Sequence, residues 1–256
     1  MKLVDTHTHL YVEHFDDDRD EVIKKAIEEG VSELYLPAID SESHQSMVDL
    51  AEAYPENCFA MMGVHPTSIN DNWEKELEIA EEWLNKRDFV AIGEIGIDLY
   101  WDKTHFKEQQ IAFKRQIGWA KERNLPVIIH CRDSFDEIFE ILEEEKDEKL
   151  RGIFHCFTGT KEQAEKAISY NMKLGIGGVA TFKNGKIDKF LREIDLKHIV
   201  LETDAPYLAP VPFRGKRNES LYLKLVADKL SDIYEMSVEK IAEITTANAD
   251  EVFKRA

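Results

Sequence analysis

His7 and His9 lie two residues apart in T-H-T-H-L, directly after the short apolar run of Leu3 and Val4. Alternate residues of a β-strand project to one face, so both imidazoles would point the same way. Imidazole is a ligand for borderline divalent metals, and two on one face are the start of a metal site. The remaining ligands must come from elsewhere in the chain. Five residues of suitable chemistry follow other short apolar runs: His65 in G-V-H-P, Glu94 in G-E-I-G-I-D, His130 in V-I-I-H-C-R-D, His155 in G-I-F-H-C-F and Asp204 in L-E-T-D-A-P.

The elements that must position these residues alternate along the whole chain. Residue type and periodicity predict strands at 2–6, 32–38, 58–64, 89–94, 126–130, 152–155, 172–178 and 197–202. Helical patterns fall between them at 18–29, 42–54, 73–86, 105–124, 133–145 and 160–170, with a short one near 187–193. Two more, 219–234 and 237–254, close the chain. Eight strands each followed by a helix, within 256 residues, fit an α/β fold of the (β/α)8 TIM-barrel type. An open doubly wound sheet is the alternative that the same alternation permits. With no linker, low-complexity tract or repeat, residues 1–256 read as one barrel domain.

In such a barrel, the carboxyl ends of all strands form one rim, where active sites are built. The candidate residues fall at or just past those ends. A single strand-end histidine is commonly a hydrogen-bonded core residue. Several on different strands at one rim would leave costly unpaired polar groups, which a metal centre satisfies together. Four imidazoles and two carboxylates can hold two divalent cations, one carboxylate bridging them. Two ions ~3.5–4 Å apart can clamp a phosphoryl oxygen and activate a water. Mixed nitrogen and oxygen ligation suits zinc, manganese or nickel, whereas all-oxygen sites favour magnesium, so Mg2+, Mn2+ and Zn2+ all stay open. His130-Cys131 and His155-Cys156 look like mixed zinc ligands, but strand alternation turns the cysteines outward, as small hydrophobes against the helices.

Composition narrows the function classes. With 33 basic and 51 acidic residues, the net charge of −18 argues against coating duplexes non-specifically. It leaves room for an enzyme that grips a few phosphates locally. Three scattered cysteines do not make a disulfide framework. No apolar run reaches the ~18–20 residues of a membrane span, and the N-terminus lacks a signal-peptide pattern. A cytoplasmic protein with no membrane contact and no obligate protein partner is expected. Arg132 is a candidate phosphate ligand, with a salt bridge to a rim carboxylate as its structural alternative. Arg214, Lys216 and Arg217 form the densest basic stretch and read as a backbone grip. Tyr100, Trp101 and Tyr207 follow strands, where bases could stack.

The ordered series T-H-T-H-L, G-V-H-P, G-E-I-G-I-D, H-C-R-D, H-C-F-T-G and L-E-T-D-A-P-Y resembles the TatD-like metal-dependent deoxyribonucleases, part of the amidohydrolase-type barrel superfamily. The resemblance runs from residue 5 to about residue 220. It implies that His7, His9, Glu94 and Asp204 bind one metal, and that Glu94 bridges to a second, completed by His130 and His155. It places His65 beside the metals, facing the scissile phosphate. It implies phosphodiester hydrolysis of nucleic acid, in several members 3′-to-5′ exonuclease action on single-stranded DNA or RNA ends. Glu94, Asp204 and His65 would then be catalytic, and His65, Arg132, Tyr207 and Arg214 would meet substrate. Two positions depart from the family pattern: Thr67 stands where G-x-H-P-H has a second histidine, and Ser220 where R-G-K-x-N-E-P has proline. Both bear on substrate preference.

Two other functions fit parts of the pattern. A metal-dependent hydrolase of an ester, lactone or amide, including D-aminoacyl-tRNA, could use the same scaffold. Against it, Glu94 stands where some relatives carry a carbamylated lysine bridge. A binding protein without turnover is the other, and the intact set of six ligands argues against it.

Overall fold

A computed structural model describes residues 1–253 and shows a parallel β/α barrel. The strands are β1 (Leu3–Asp5), β2 (Val31–Pro37), β3 (Cys58–Met61), β4 (Ile92–Asp98), β5 (Val127–Arg132), β6 (Gly152–Phe154), β7 (Met172–Ile176) and β8 (Ile199–Leu201). The helices are α1 (Arg19–Glu28), α2 (His44–Ala53), α3 (Trp73–Lys86), α4 (Phe106–Arg123), α5 (Phe135–Glu145), α6 (Lys161–Ser169), α7 (Leu223–Tyr234) and α8 (Val238–Phe253). Residue 254 of the expected last helix lies outside the described residues. Continuous ladders join β1 to β2 to β3 and run unbroken from β4 to β8. Two single bridges close the ring, Met62 to Ile92 and Thr8 to Ala205, so the fold is the barrel and not the open sheet.

Two shells of apolar packing hold this ring. The outer one fills the space between strands and helices. The inner one joins Val4, Tyr35, Met61, Ile128, Ile153 and Val200 from six strands to Ala249, Val252 and Phe253 of α8. Phe253 stacks on Tyr35 with ring centroids 3.7 Å apart, so α8 plugs the end of the barrel opposite the rim. Strand alternation then carries the interior face upward. Ile128 lies two residues before His130, Ile153 two before His155, and Val200 two before Glu202. On β5, which contains both residues, His130 points inward because Ile128 beneath it does; His155 and Glu202 follow directly on the ends of β6 and β8.

Two expected elements differ. The strand expected at 89–94 is Ile92–Asp98, and every one of its residues is buried. Its apolar isoleucines continue past Glu94, so Glu94 lies inside the strand and Asp98 ends it. A register irregularity between Ile92 and Ile95 accompanies Glu94, a device that re-aims side chains near active sites. The helix expected near 187–193 is a pair of 3-10 turns, Ile187–Lys189 and Leu191–Glu193. Asn184-Gly185 leaves too short a run after it for a full helix.

Gly96 is required where β4 passes β5. Its φ is +144°, and a Cβ there would lie 2.0 Å from the carbonyl oxygen of His130. Gly96→Ala is expected to cost about 2–4 kcal/mol and to lower the melting temperature by roughly 5–10 °C. An unchanged thermal transition would contradict this close approach.

Candidate metal centre

The end of β1 is buckled to the end of β8 beneath the rim. Asp5, fully buried, accepts hydrogen bonds from Thr203 N at 2.9 Å and Thr203 Oγ1 at 2.6 Å. Burial pushes its carboxyl up to about 7, even though those hydrogen bonds act to lower it. The backbone continues the tie: Asp204 N donates to His7 O at 2.9 Å and His9 N to Ala205 O at 2.7 Å. Asn218 Nδ2 donates to Thr203 O and Tyr207 O, both at 2.7 Å, and so holds the turn that carries Asp204. Ser220 is buried, with its Oγ 3.2 Å from Thr8 Oγ1. This departure from the family pattern therefore supports the strand ends and does not face solvent.

On this frame, all six expected ligands converge. Glu94 Oε2 lies 3.1 Å from His7 Nε2 and 3.7 Å from His9 Nε2. Asp204 Oδ1 lies 3.5 Å from His9 Nε2 and 3.8 Å from His7 Nε2. The other oxygen, Glu94 Oε1, is 2.8 Å from His130 Nδ1 and 3.4 Å from His65 Nε2. His155 Nε2 stands between the two groups, 3.8 Å from Glu94 Oε1 and 3.7 Å from Asp204 Oδ1. Burial acts to raise the Glu94 carboxyl, yet the imidazoles of His65, His7 and His155 hold it well below the carboxylate range. Asp204 is likewise held low against burial, chiefly by His155.

The outer nitrogens of these rings set which atom faces the centre. Tyr11 donates its hydroxyl to Pro37 O at 2.6 Å, so its oxygen accepts from His9 Nδ1 at 3.0 Å. His9 Nε2 is left with its lone pair toward the centre. Asp98 Oδ2 sits 2.9 Å from His130 Nε2, and Glu202 Oε1 sits 3.0 Å from His155 Nδ1. Both carboxylates fix rings by the nitrogen remote from the cluster, the arrangement that orients metal-binding histidines. His65 is the opposite case. Thr67 N donates to its Nδ1 at 3.1 Å, which puts the proton of a neutral ring on Nε2. Burial lowers the His65 pKa below its ordinary value, so the neutral ring aims an N–H inward. Thr67 thus contacts His65 itself and sets its proton.

Asp98, Glu202, Tyr11 and Asp5 were not among the candidates from sequence. Acidic residues are too common in this chain to stand out, but Glu202, directly after the apolar run Ile199–Leu201, was a readable signal. Cysteine requires a correction. Cys131 packs partly against the outer core, as alternation predicts. Cys156 does not, because β6 stops at Phe154 and Cys156 turns back with φ 44°. Its Sγ lies within 4.8 Å of donor atoms of His155 and Glu202, and burial holds the thiol well above its ordinary pKa.

The expected substrate contacts divide. Arg132 borders a cavity of about 320 Å³ lined also by His130, His155 and Asp204. Its guanidinium lies 3.8 Å from the Tyr100 ring centroid and 5.3 Å from that of Trp101. Among the described residues it forms no ion pair, so the salt-bridge alternative falls. Tyr207 leans over His9, with ring centroids 6.1 Å apart. Arg214 stays outside the cluster, 4.4 Å from the Phe182 ring centroid. Arg217 is not a free backbone grip: it pairs with Asp18 at 2.6 Å and Glu219 at 3.2 Å, and lies over Phe15.

The donor set fits divalent cations. His7 Nε2 and His9 Nε2 face each other at 3.2 Å. That pair can share only one proton, whereas a cation satisfies lone pairs from both rings and from the carboxylates beside them. A parallel barrel with nitrogen and oxygen donors converged on its rim is the architecture of a metal-dependent hydrolase. The family model described as TatD related DNase matches residues 4–254. The uncharacterized metal-dependent hydrolase YabD of Bacillus subtilis is 42% identical over 253 residues, covering 98% of this chain and 99% of that protein. The 3′-5′ ssDNA/RNA exonuclease TatD of Pectobacterium parmentieri is 31% identical, covering 99% of this chain and all of that one. The crystal structure of YjjV, a TatD homologue from Escherichia coli, superposes with a TM-score of 0.93 at 30% identity, over 99% of this chain and 98% of that one. The chain belongs to the TatD family of metal-dependent hydrolases. Among the described residues, no helix is long and apolar enough to cross a membrane.

Two predictions follow from the ring environments. In the metal-free protein, burial acts to lower the His155 pKa, but Glu202, Glu94 and Asp204 outweigh it and raise it to about 10. His130 is also raised against burial, by Asp98 and Glu94. Metal must therefore expel protons at neutral pH, and binding weakens as pH falls. Calorimetric titration in buffers of different ionisation enthalpy should show about one to two protons released per chain at pH 7; none released would contradict the assignment. Asp98→Ala should weaken metal affinity about 10–100-fold by freeing the His130 ring. Unchanged affinity would show that Asp98 does not position that ring.

Proposed function

We propose that the chain is a nuclease that hydrolyses phosphodiesters with two divalent ions, acting on single-stranded DNA or RNA ends in the 3′-to-5′ direction. The observation that carries it is the division of labour at Glu94. One oxygen faces His7 and His9, with Asp204 beside them, and the other faces His130 and His155. A carboxylate so placed suits a bridge between two cations. Its sites would be His7, His9, Glu94 and Asp204 on one side, and Glu94, His130 and His155 on the other. The Pectobacterium relative, a 3′-5′ ssDNA/RNA exonuclease by name, supports the nucleic-acid substrate.

When bound, such ions supply Lewis-acid polarisation of the phosphoryl group and activation of water. The chain's own groups do the rest. His65 presents Nε2–H to a non-bridging phosphate oxygen, and its neutral ring can donate without repelling bound cations. Arg132, held over Tyr100, neutralises the charge that gathers on the phosphate. Asp204, kept ionised by its imidazole neighbours, accepts the proton lost by the attacking water. Tyr207 closes the mouth beside His9 and gives a terminal base a face to stack on.

A 5′-labelled single-stranded oligonucleotide with Mg2+, Mn2+ or Zn2+ should shorten stepwise from its 3′ end. Glu94→Gln should lower kcat by about 10³-fold or more. Hydrolysis of a carbonyl ester with the oligonucleotide left intact, under every metal, would overturn the nuclease reading.

A further inference from the structure

A second cavity, of about 640 Å³, adjoins the one at the metal centre and shares Cys131, Arg132 and Thr158 with it. It forms a furrow leading away from the donors, between the loop after β5, the start of α6 and the 3-10 turns after β7. Lys186 and Lys189 stand on its wall, with the Tyr100 ring at its inner end and Phe190 beside the lysines. Among the described residues, neither lysine forms an ion pair. Lys161, also in the furrow, is neutralised by Glu193 and Glu165. Among the described residues, Asp133 is the one carboxylate that lines it.

This placement runs against the charge of the whole chain. With a net charge of −18, the surface at large repels a polyanion. Two unneutralised lysines and the Arg132 guanidinium are nevertheless gathered along one furrow that opens into the hydrolytic centre. Aromatic faces sit among them. Cations spaced along a groove and interleaved with aromatic rings are what a single strand of nucleic acid binds, through phosphates and stacked bases. Lys186 and Lys189 also lie in the segment where the chain forms short 3-10 turns and not a regular crossover helix, which leaves the furrow open on that side.

We infer that the furrow is a strand-binding subsite, resting on the nuclease reading, in which Lys186 and Lys189 hold a backbone phosphate away from the scissile bond. The Tyr100–Arg132 pair holds the intervening base. The subsite sets preference for polymeric over short substrates, and the metal centre performs hydrolysis whether or not it is filled.

The test compares K186A/K189A with the parent, both as full-length metal-loaded chains. Substrates are a single-stranded oligonucleotide of about 12 nucleotides and bis(4-nitrophenyl) phosphate, which is too small to reach the furrow. The variant should raise KM for the oligonucleotide about tenfold more than for the small ester. Loss of the grip on that phosphate should also flatten the slope of log affinity against log salt by about 0.7. Equal KM effects on both substrates with an unchanged salt slope would overturn the subsite while leaving the nuclease reading standing. If the parent cleaves the small ester but neither binds nor cleaves the oligonucleotide, the nuclease reading falls and the subsite with it.

Discussion

The carboxylate of Glu94 is the charge around which the rim is arranged. It is buried inside β4, where an isolated carboxylate would cost several kcal/mol. Its environment makes it the opposite of isolated, since imidazoles from four other strand ends approach one or other of its oxygens. Four of those five rings are in turn held from behind or from the side: His9 by Tyr11, His65 by Thr67, His130 by Asp98 and His155 by Glu202. Removing the ion pairs and keeping the fold would leave a set of mutually repelling or unsatisfied groups. Barrel closure and the metal centre are therefore one problem, solved at the same end of the strands.

The barrel supplies what those groups need in order to stay converged. Its interior is filled by a layer of Val, Tyr, Met and Ile from the strands and plugged by Val252 and Phe253 of α8. Directly above that layer, β5 carries His130, and His155 and Glu202 follow directly on the ends of β6 and β8. The Asp5–Thr203 buckle and the bonds between His7, His9 and the Asp204 turn then lock the first strand to the last. A rim assembled this way is preorganised by packing below and hydrogen bonds behind, which is what electrostatic catalysis requires.

Much of this was legible in residue order. Strand-end histidines and carboxylates located the rim, and alternation of short apolar runs with helical patterns indicated the barrel. The supporting shell was not legible for a physical reason. Asp98, Glu202 and Asp5 look like any of the chain's many acidic residues until the fold removes them from water. The reach of β4 was misjudged because the isoleucines after Glu94 are separated by Gly96, which reads locally as a turn but serves as a point of close strand contact. Arg217 looked like a phosphate grip because its partners, Asp18 and Glu219, come from a distant loop and from its own segment. Thr67, which departs from the family pattern, sets the proton on His65.

The division of the donors at Glu94 into two cation sites is the central claim, and element-specific anomalous diffraction from crystals grown with Mn2+ tests it most directly. The account predicts two peaks. One lies about 2.0–2.3 Å from His7, His9, Glu94 and Asp204, and the other at similar distances from Glu94, His130 and His155. A single peak, or none with the Glu94 oxygens turned away from the histidines, would contradict it.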